Sequence, residues 1–307
     1  MTASKHHGLL LLNKNPGLTS FDSLAGVKKA FDTGKVGHTG TLDKFASGLL
    51  VLLIGRGLKL IPLFDCCTKE YTATVLFGEE TDTLDPEGSV IASGKIPSRE
   101  EVEAVLSGFR GDILQSPPAY SAIHINGRRS YELAREGKKP EMKKRPVTIH
   151  ELEILSWTPP EMQIRVRVSA GTYIRSLARD IALAAGSRAH LSALRRTMVG
   201  PFKVEDAVDL MSDEGGGPCL TEALRPMDRK FFETLSLPCF FIDEKTEKDF
   251  IHGKPVEKIL SDVFLASENL PATTAAGVFR KDEVGTLLGV LKRDNGKWSY
   301  GHVFTDN

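Results

Sequence analysis

Gly37-His38-Thr39-Gly40-Thr41-Leu42-Asp43-Lys44-Phe45-Ala46-Ser47-Gly48 runs directly into Leu49-Leu50-Val51-Leu52-Leu53-Ile54-Gly55, and the reading of this stretch decides the fold. Its glycines let the backbone turn tightly and approach a ligand. Asp43 follows three residues after Gly40, with His38 five positions before it. The apolar run behind the loop is long enough to anchor it in a core. A carboxylate on a tight loop docked against buried structure suits a preorganised nucleophile or an acid/base group. It equally suits a cap on a helix or turn starting near Ala46, and this segment alone leaves both readings open.

Working outward, Leu9-Leu10-Leu11-Leu12 precedes a turn signal at Asn13-Lys14-Asn15-Pro16-Gly17. Thr19-Ser20 then offers an N-cap for a helix to about Phe31, with Phe21, Leu24, Val27 and Phe31 at helical apolar spacing. Tyr71 to Phe77 reads as a strand. Ser98 with Glu101 makes a capping box for a helix ending near Phe109. Gln163 to Val168 alternates as a half-buried strand, then passes through Ser169-Ala170-Gly171-Thr172-Tyr173 into a helix from about Ile174 to Ala185. Strands and helices follow no strict βαβ alternation, so the fold class expected is α+β rather than a doubly wound sheet.

At 307 residues the chain exceeds the usual single-domain size, so one large domain plus a small one is expected. Ser212 to Pro218 reads as a flexible connection. Beyond Leu237-Pro238, the runs Ala276–Phe279, Leu287–Leu291 and Trp298–Tyr300 read as strands of a small β-domain. The division expected is 1–236 and 237–307. No apolar stretch reaches membrane-spanning length, and Met1 to Gly8 carries no signal-peptide core. Cys66, Cys67, Cys219 and Cys239 form no CxxC pair, so reduced thiols in a cytoplasmic protein are expected, without a structural zinc.

Net charge is zero but unevenly spread. Residues 124–200 hold 15 Lys and Arg against 7 Asp and Glu, and acidic flanks balance them. Such a block is either a solvated surface or the footprint of a protein that grips phosphates locally. Within it, Asn126-Gly127-Arg128-Arg129-Ser130-Tyr131 follows Gln115-Ser116-Pro117-Pro118-Ala119-Tyr120-Ser121-Ala122, and Lys138, Lys139, Lys143, Lys144 and Arg145 extend the positive stretch. Basic and aromatic residues interleaved on a projecting loop suit RNA. Thr81-Asp82-Thr83-Leu84-Asp85-Pro86-Glu87-Gly88 has acidic spacing compatible with a divalent cation, yet Asp-Pro-Glu-Gly is also an ordinary turn. In Lys69-Glu70-Tyr71 the tyrosine reads as a core or edge residue. Arg175 and Arg179 share a helix face, and Arg175 falls in the first turn, where a cation opposes the helix dipole and calls for an anionic partner.

Together these segments resemble the TruB family of tRNA pseudouridine synthases over about residues 8–211. The resemblance rests on Gly37 to Asp43, Lys69-Glu70-Tyr71, Thr81-Asp82-Thr83, the Pro-Pro-Ala-Tyr-Ser-Ala run, Asn126-Gly127-Arg128, Gly171-Thr172-Tyr173-Ile174-Arg175 and Leu194-Arg195-Arg196, in family order and spacing. It implies a mixed, mostly antiparallel sheet flanked by helices with a small PUA-like β-rich domain behind it. It implies conversion of uridine to pseudouridine at position 55 of the tRNA T-loop, without metal or cofactor, since an isomerisation transfers no electrons and adds no group. Asp43 matches the family's essential aspartate. Tyr71 matches the tyrosine that stacks on the flipped uracil, and Arg175 the arginine that pairs with the catalytic carboxylate and keeps it ionised. Tyr173 and Leu194 match substrate-pocket residues, and His38 a histidine that holds the T-loop in its flipped-out arrangement.

Arg128, Arg129, Lys143, Lys144 and Arg145, on a loop at about 120–146, are expected to clamp the T-stem-loop of tRNA. The chain departs from the family pattern at Lys44, where Pro is usual, and at Leu50-Val51, where a Pro often interrupts the run. Long basic extensions of guide-RNA-dependent relatives are absent, so no membrane, obligatory protein partner or guide RNA is expected. Two rival readings remain: a tRNA-binding or folding module without catalysis, and a metal-dependent phosphate enzyme using Asp82, Asp85 and Glu87.

Overall fold

The computed structural model describes residues 6–121, 123–125, 127–138, 142–210, 220–259, 274–282 and 285–304. The connection at 212–218 and the expected RNA-loop residues Ala122, Asn126 and Lys139 lie outside them. The chain opens on β1 (Gly8–Lys14) and α1 (Ser20–Ala30), continues through β2 (Val36–His38) and β3 (Ser47–Ile54), and reaches β4 (Lys69–Phe77) after a 3-10 helix over Gly55–Phe64. β1 and β3 pair antiparallel, with Leu10 opposite Leu52. Both are buried on two faces. Leu9, Leu11, Leu49, Val51 and Leu53 enter one core cluster, while Leu10, Leu12, Leu50, Leu52 and Ile54 enter another with α1. Two-sided burial is why these strands read as unbroken apolar runs rather than alternating ones.

Then come β5 (Glu79–Thr81), β6 (Val90–Ser93), α2 (Arg99–Leu106), β7 (Gly111–Gln115), β8 (His124–Ile125), β9 (Arg128–Arg129) and α3 (Ser130–Arg135). β10 (Arg145–Thr158), β11 (Glu161–Val168), α4 (Ile174–Ala184), β12 (Ala189–Val199), β13 (Phe202–Lys203) and β14 (Val208–Asp209) complete the first half. The large sheet has ten strands along the path β14-β1-β3-β12-β4-β11-β10-β7, with β2 on β3 and β13 on β12. It is mostly antiparallel; β1 with β14 and β3 with β12 are parallel. On β4 the residues Tyr71, Ala73, Val75 and Phe77 point into a core closed by Val102 and Leu106 of α2 and Leu177 and Ile181 of α4.

Both expected helix starts have full capping boxes: Thr19 with Asp22 on α1, and Ser98 with Glu101 on α2. The α1 apolar stripe is narrower than its spacing predicts. Leu24, Val27 and Phe31 are buried, but Phe21 is 71% exposed. The chain ends in α5 (Arg229–Thr234), β15 (Cys239–Ile242), α6 (Glu244–Ile251), α7 (Val256–Ile259), β16 (Thr274–Arg280), β17 (Leu287–Asp294) and β18 (Lys297–Val303). β15 to β18 form a separate four-stranded sheet. Phe231 and Phe232 of α5, with Phe279, Val290 and Phe304, share one core cluster with Leu9, Leu53 and Phe64 of the large sheet's side.

Candidate active site

No helix begins near Ala46. The Ala46 N–H donates to the Asp43 carbonyl at 3.1 Å, closing a turn, and the chain passes straight into β3. Three neighbours fix this turn. Ser20 Oγ accepts from the Leu42 N–H at 2.8 Å and lies 3.0 Å from the Leu42 carbonyl, tying the loop to α1. Lys14 Nζ donates to the carbonyls of Leu18 at 2.6 Å, Asn15 at 3.0 Å and Lys44 at 3.4 Å. From β12, Arg196 donates through Nε to Leu49 O at 2.8 Å, through Nη2 to Gly40 O at 3.0 Å and through Nη1 to Thr41 O at 3.4 Å.

Arg196 is 2% exposed and Lys14 1%. Backbone carbonyls surround both charges: Arg196 holds the Asp43 loop, and Lys14 ties the turn after β1 to Lys44 of that loop. Burial brings the Lys14 ammonium down to about 8, against the pull of Asp43, with Arg196 pushing it further down. Gly48 belongs to the same device. Its φ is +101°, and a Cβ there would stand 2.3 Å from the Arg196 carbonyl oxygen.

Arg175 reaches the loop from the first turn of α4, which Tyr173 caps. Its guanidinium lies between two carboxylates. Nη2 donates to Asp43 Oδ1 at 3.1 Å, and Nε lies 2.9 Å from Asp43 Oδ2 at an angle unsuited to a hydrogen bond. Nη1 donates to Asp85 Oδ2 at 3.2 Å and to Thr83 O at 2.6 Å, and Nη2 also donates to Tyr120 O at 3.0 Å. Arg175 is 5% exposed, so a cation placed against its own helix dipole is compensated by two anions. Asp85 is also held by Thr83 Oγ1 at 2.6 Å and the Glu87 N–H at 3.0 Å.

The Asp43 side chain keeps 38% of its exposure, so the arrangement is open to solvent at this carboxylate. Its carboxyl sits above the usual aspartate range. Crowding by protein is the largest cause and Asp85 adds to it, while Arg175 pulls the other way. Arg175 thus offsets part of the desolvation and favours the ionised carboxylate.

Tyr71 and Leu194 are buried in one cluster with Leu42 and Ile174, the neighbours of Asp43 and Arg175 in sequence. Tyr173 joins from the chain before α4. Gln115 fixes its backbone, accepting from the Tyr173 N–H at 2.8 Å and donating to its carbonyl at 3.1 Å. Burial pushes the Tyr173 phenol up, while Arg145 and Arg175 hold it down. His38 is half-buried on β2, with Nδ1 unpartnered, and burial together with Arg196 lowers its imidazole. The loop, Tyr71, Tyr173, Arg175 and Leu194 therefore converge.

Among the basic-loop residues, Arg128 and Arg129 form β9 against β8. Arg128 pairs with Glu136, which also takes Lys138 at 2.8 Å and is drawn down to about 2. Lys143 and Lys144 are exposed outside regular structure, and Arg145 opens β10 opposite Gln115. The acidic run at Thr81–Gly88 is engaged internally. Asp82 accepts from the Ser89 N–H at 2.9 Å and from Tyr120 Oη at 3.4 Å, and Glu87 pairs with Lys44 at 3.2 Å. Among the described residues no group of three His, Cys, Asp or Glu is placed to hold a metal ion.

Sequence reading missed the parts played by Asp85, Arg196, Lys14 and Gln115. A signal existed for Arg196, a charge at an inward-facing strand position, and for Lys14, which ends an apolar run. Asp85 and Gln115 carried none that separates them from turn and strand-end polar residues.

Comparison with known proteins identifies the family. The model of the TruB family pseudouridylate synthase N-terminal domain matches residues 28–174, and that of the tRNA pseudouridylate synthase B C-terminal domain matches 175–231. A tRNA pseudouridine synthase B of Treponema denticola is 40% identical over 294 residues, covering 80% of this chain and 82% of the relative. One of Borreliella burgdorferi is 48% identical over 204 residues, covering 66% of this chain and 72% of the relative. A solved chain from a Cbf5-Nop10-Gar1 complex superposes with a TM-score of 0.67 over 98% of this chain and 84% of that one, at 24% identity, a likeness of fold. The chain belongs to the TruB family of pseudouridylate synthases.

Proposed function

We propose that this chain isomerises uridine to pseudouridine at position 55 in the T-loop of tRNA, as a stand-alone synthase that needs no cofactor. The observation that carries the reading is the Asp43–Arg175–Asp85 arrangement, open to solvent only on the Asp43 side and set beside Tyr71 and Leu194. The target nucleotide leaves its stack at a cost of a few kcal/mol. Stacking on an aromatic such as Tyr71 returns roughly 1–3 kcal/mol. The C1′–N1 bond then breaks, the base turns, C1′ bonds to C5, the C5 proton departs and N1 gains one. Atoms and electrons balance without an added group.

Asp43 acts on the nucleoside while the bond breaks and re-forms. Arg175 aims the carboxylate and supports its charge, and Asp85 holds Arg175 in place when Asp43 is engaged by substrate. Tyr173 and His38 line the approach. Arg128, Arg129, Lys143, Lys144 and Arg145 grip the phosphates of the T-stem-loop. Residues 1–236 form the synthase unit and 237–307 a small PUA-like unit, a division supported by the separate sheet β15 to β18. With it goes a cytoplasmic setting, the one the cysteine pattern favours.

Asp43→Asn tests the reading. Incubated with a T-arm RNA, it should form no pseudouridine, mapped by a chemical adduct, yet still shift the RNA in a binding assay. Product from this variant would sink the assignment. The non-catalytic alternative expects a damaged constellation, whereas the Asp43–Arg175 contact is intact at 2.9 Å.

A further inference from the structure

One large aromatic departs from the apolar stripe of its helix and lies beside the candidate active site. Phe21 is 71% exposed, in the first turn of α1, and Leu18 next to it is 38% exposed. The preceding residue, Ser20, is the one that bonds both backbone groups of Leu42. A second tie joins the Gly17 N–H to the Lys44 carbonyl at 2.8 Å. Phe21 thus follows directly on the residue that ties α1 to the segment carrying Asp43.

A cation stands over the ring. Lys28 Nζ stands 5.0 Å from its centroid, on the same helix face two turns on, with exposed Ala25 between them. Lys44 follows Asp43 directly and pairs with Glu87 at 3.2 Å, an exposed pair of the kind that holds weakly. Asp22, the acid within this patch, is occupied as the capping-box partner of Thr19, accepting from its N–H at 3.1 Å and its hydroxyl at 2.6 Å. An exposed aromatic with a lysine over its ring, on a helix tied to the loop that carries Asp43 and Lys44, matches the chemistry of an unpaired nucleic-acid strand.

We propose that Phe21, Lys28 and Lys44 form an RNA-docking edge beside the Asp43 loop. An unpaired base of the substrate loop stacks on the free face of Phe21, opposite Lys28, and Lys44 leaves Glu87 for a backbone phosphate. The inference rests on the RNA-modifying reading above and adds a second contact that no part of the basic loop supplies.

Binding of a T-arm hairpin to the full chain, followed by anisotropy across a salt series, tests it. Phe21→Ala should raise Kd by about five- to 150-fold, the loss of one stacked base, and Phe21→Trp should restore it. Lys44→Ala should lessen the slope of log K against log salt by about 0.7–0.9, one phosphate contact. Leu155→Ala removes an exposed apolar side chain elsewhere and should change neither. Wild-type affinity in Phe21→Ala, with an unchanged slope in Lys44→Ala, overturns the edge alone. Failure of the wild-type chain to bind the hairpin overturns the RNA reading and the edge together.

Discussion

Arg175 shows what one buried side chain does when it must serve two anions. Its partners lie on three separate segments, Asp43, Thr83 with Asp85, and Tyr120, so the guanidinium joins parts of the chain far apart in sequence. Removing Asp85 leaves Arg175 with Asp43 as its one remaining anion and Nη1 with one bond fewer, and Asp85→Ala should cost about 1–3 kcal/mol, read by urea unfolding. Arg175→Lys should keep the charge but lose the fork that meets two carboxylates at once, with product formation falling by more than tenfold.

Asp43 gives the opposite sign. Its carboxyl is raised in the folded chain, so the folded state takes up this proton at a higher pH than the unfolded state does. The ionised form therefore costs stability at neutral pH, and the cost disappears as pH falls below the unfolded value. Asp43→Asn should melt above wild type at pH 7, with the gain vanishing towards about pH 3. A variant less stable than wild type at neutral pH would contradict the burial argument. Asp43, Tyr71, Tyr173 and Arg175 were singled out through the family resemblance, and the fold brings them together. Asp85 was not, because a carboxylate that bonds an arginine 90 residues away reads locally as a turn residue.

At the scale of elements, the legible parts were those governed by local rules. The capping boxes at Thr19 and Ser98 place α1 and α2, and the alternation at Gln163–Val168 places β11, because each is decided within a few residues. Phe21 misled the pattern: helical spacing marks a face but not which residue of that face the core receives. The parallel pairing of β3 with β12, Ser47 with Arg195 and Gly48 with Arg196, left no local trace, since it joins residues about 150 apart. Yet that pairing shapes the Asp43 loop. A methyl at Gly48 meets the Arg196 backbone at 2.3 and 2.8 Å, and its φ of +101° disfavours any side chain. Gly48→Ala should therefore cost about 3 kcal/mol through strain and parted strands. Circular dichroism melts would show it, and product formation should fall further than the lost fold accounts for. Unaltered activity and stability would mean that the loop tolerates a shifted β12.

At the scale of the whole molecule, the two sheets meet through aromatic packing. Phe232 is fully buried; its ring lies 5.2 Å from Phe231 and 5.5 Å from Phe279, both edge-on. Phe231 in turn reaches Phe64, 6.3 Å away, beneath the large sheet. A core cluster that draws residues from β1, β3, β16 and β17 makes the stability of each sheet depend on the other. The division into two units is then one of architecture rather than of folding, and the full chain should unfold in one step. The two tryptophans report on this independently: Trp157 packs on Phe77 in the first half, and Trp298 packs on Phe240 in the small sheet. In Trp157→Phe and Trp298→Phe variants the remaining fluorescence should trace coincident urea transitions. Phe232→Ala should cost about 3–5 kcal/mol by removing a buried ring. It should move both transitions together if the shared cluster couples the sheets, and the Trp298 signal alone if it does not.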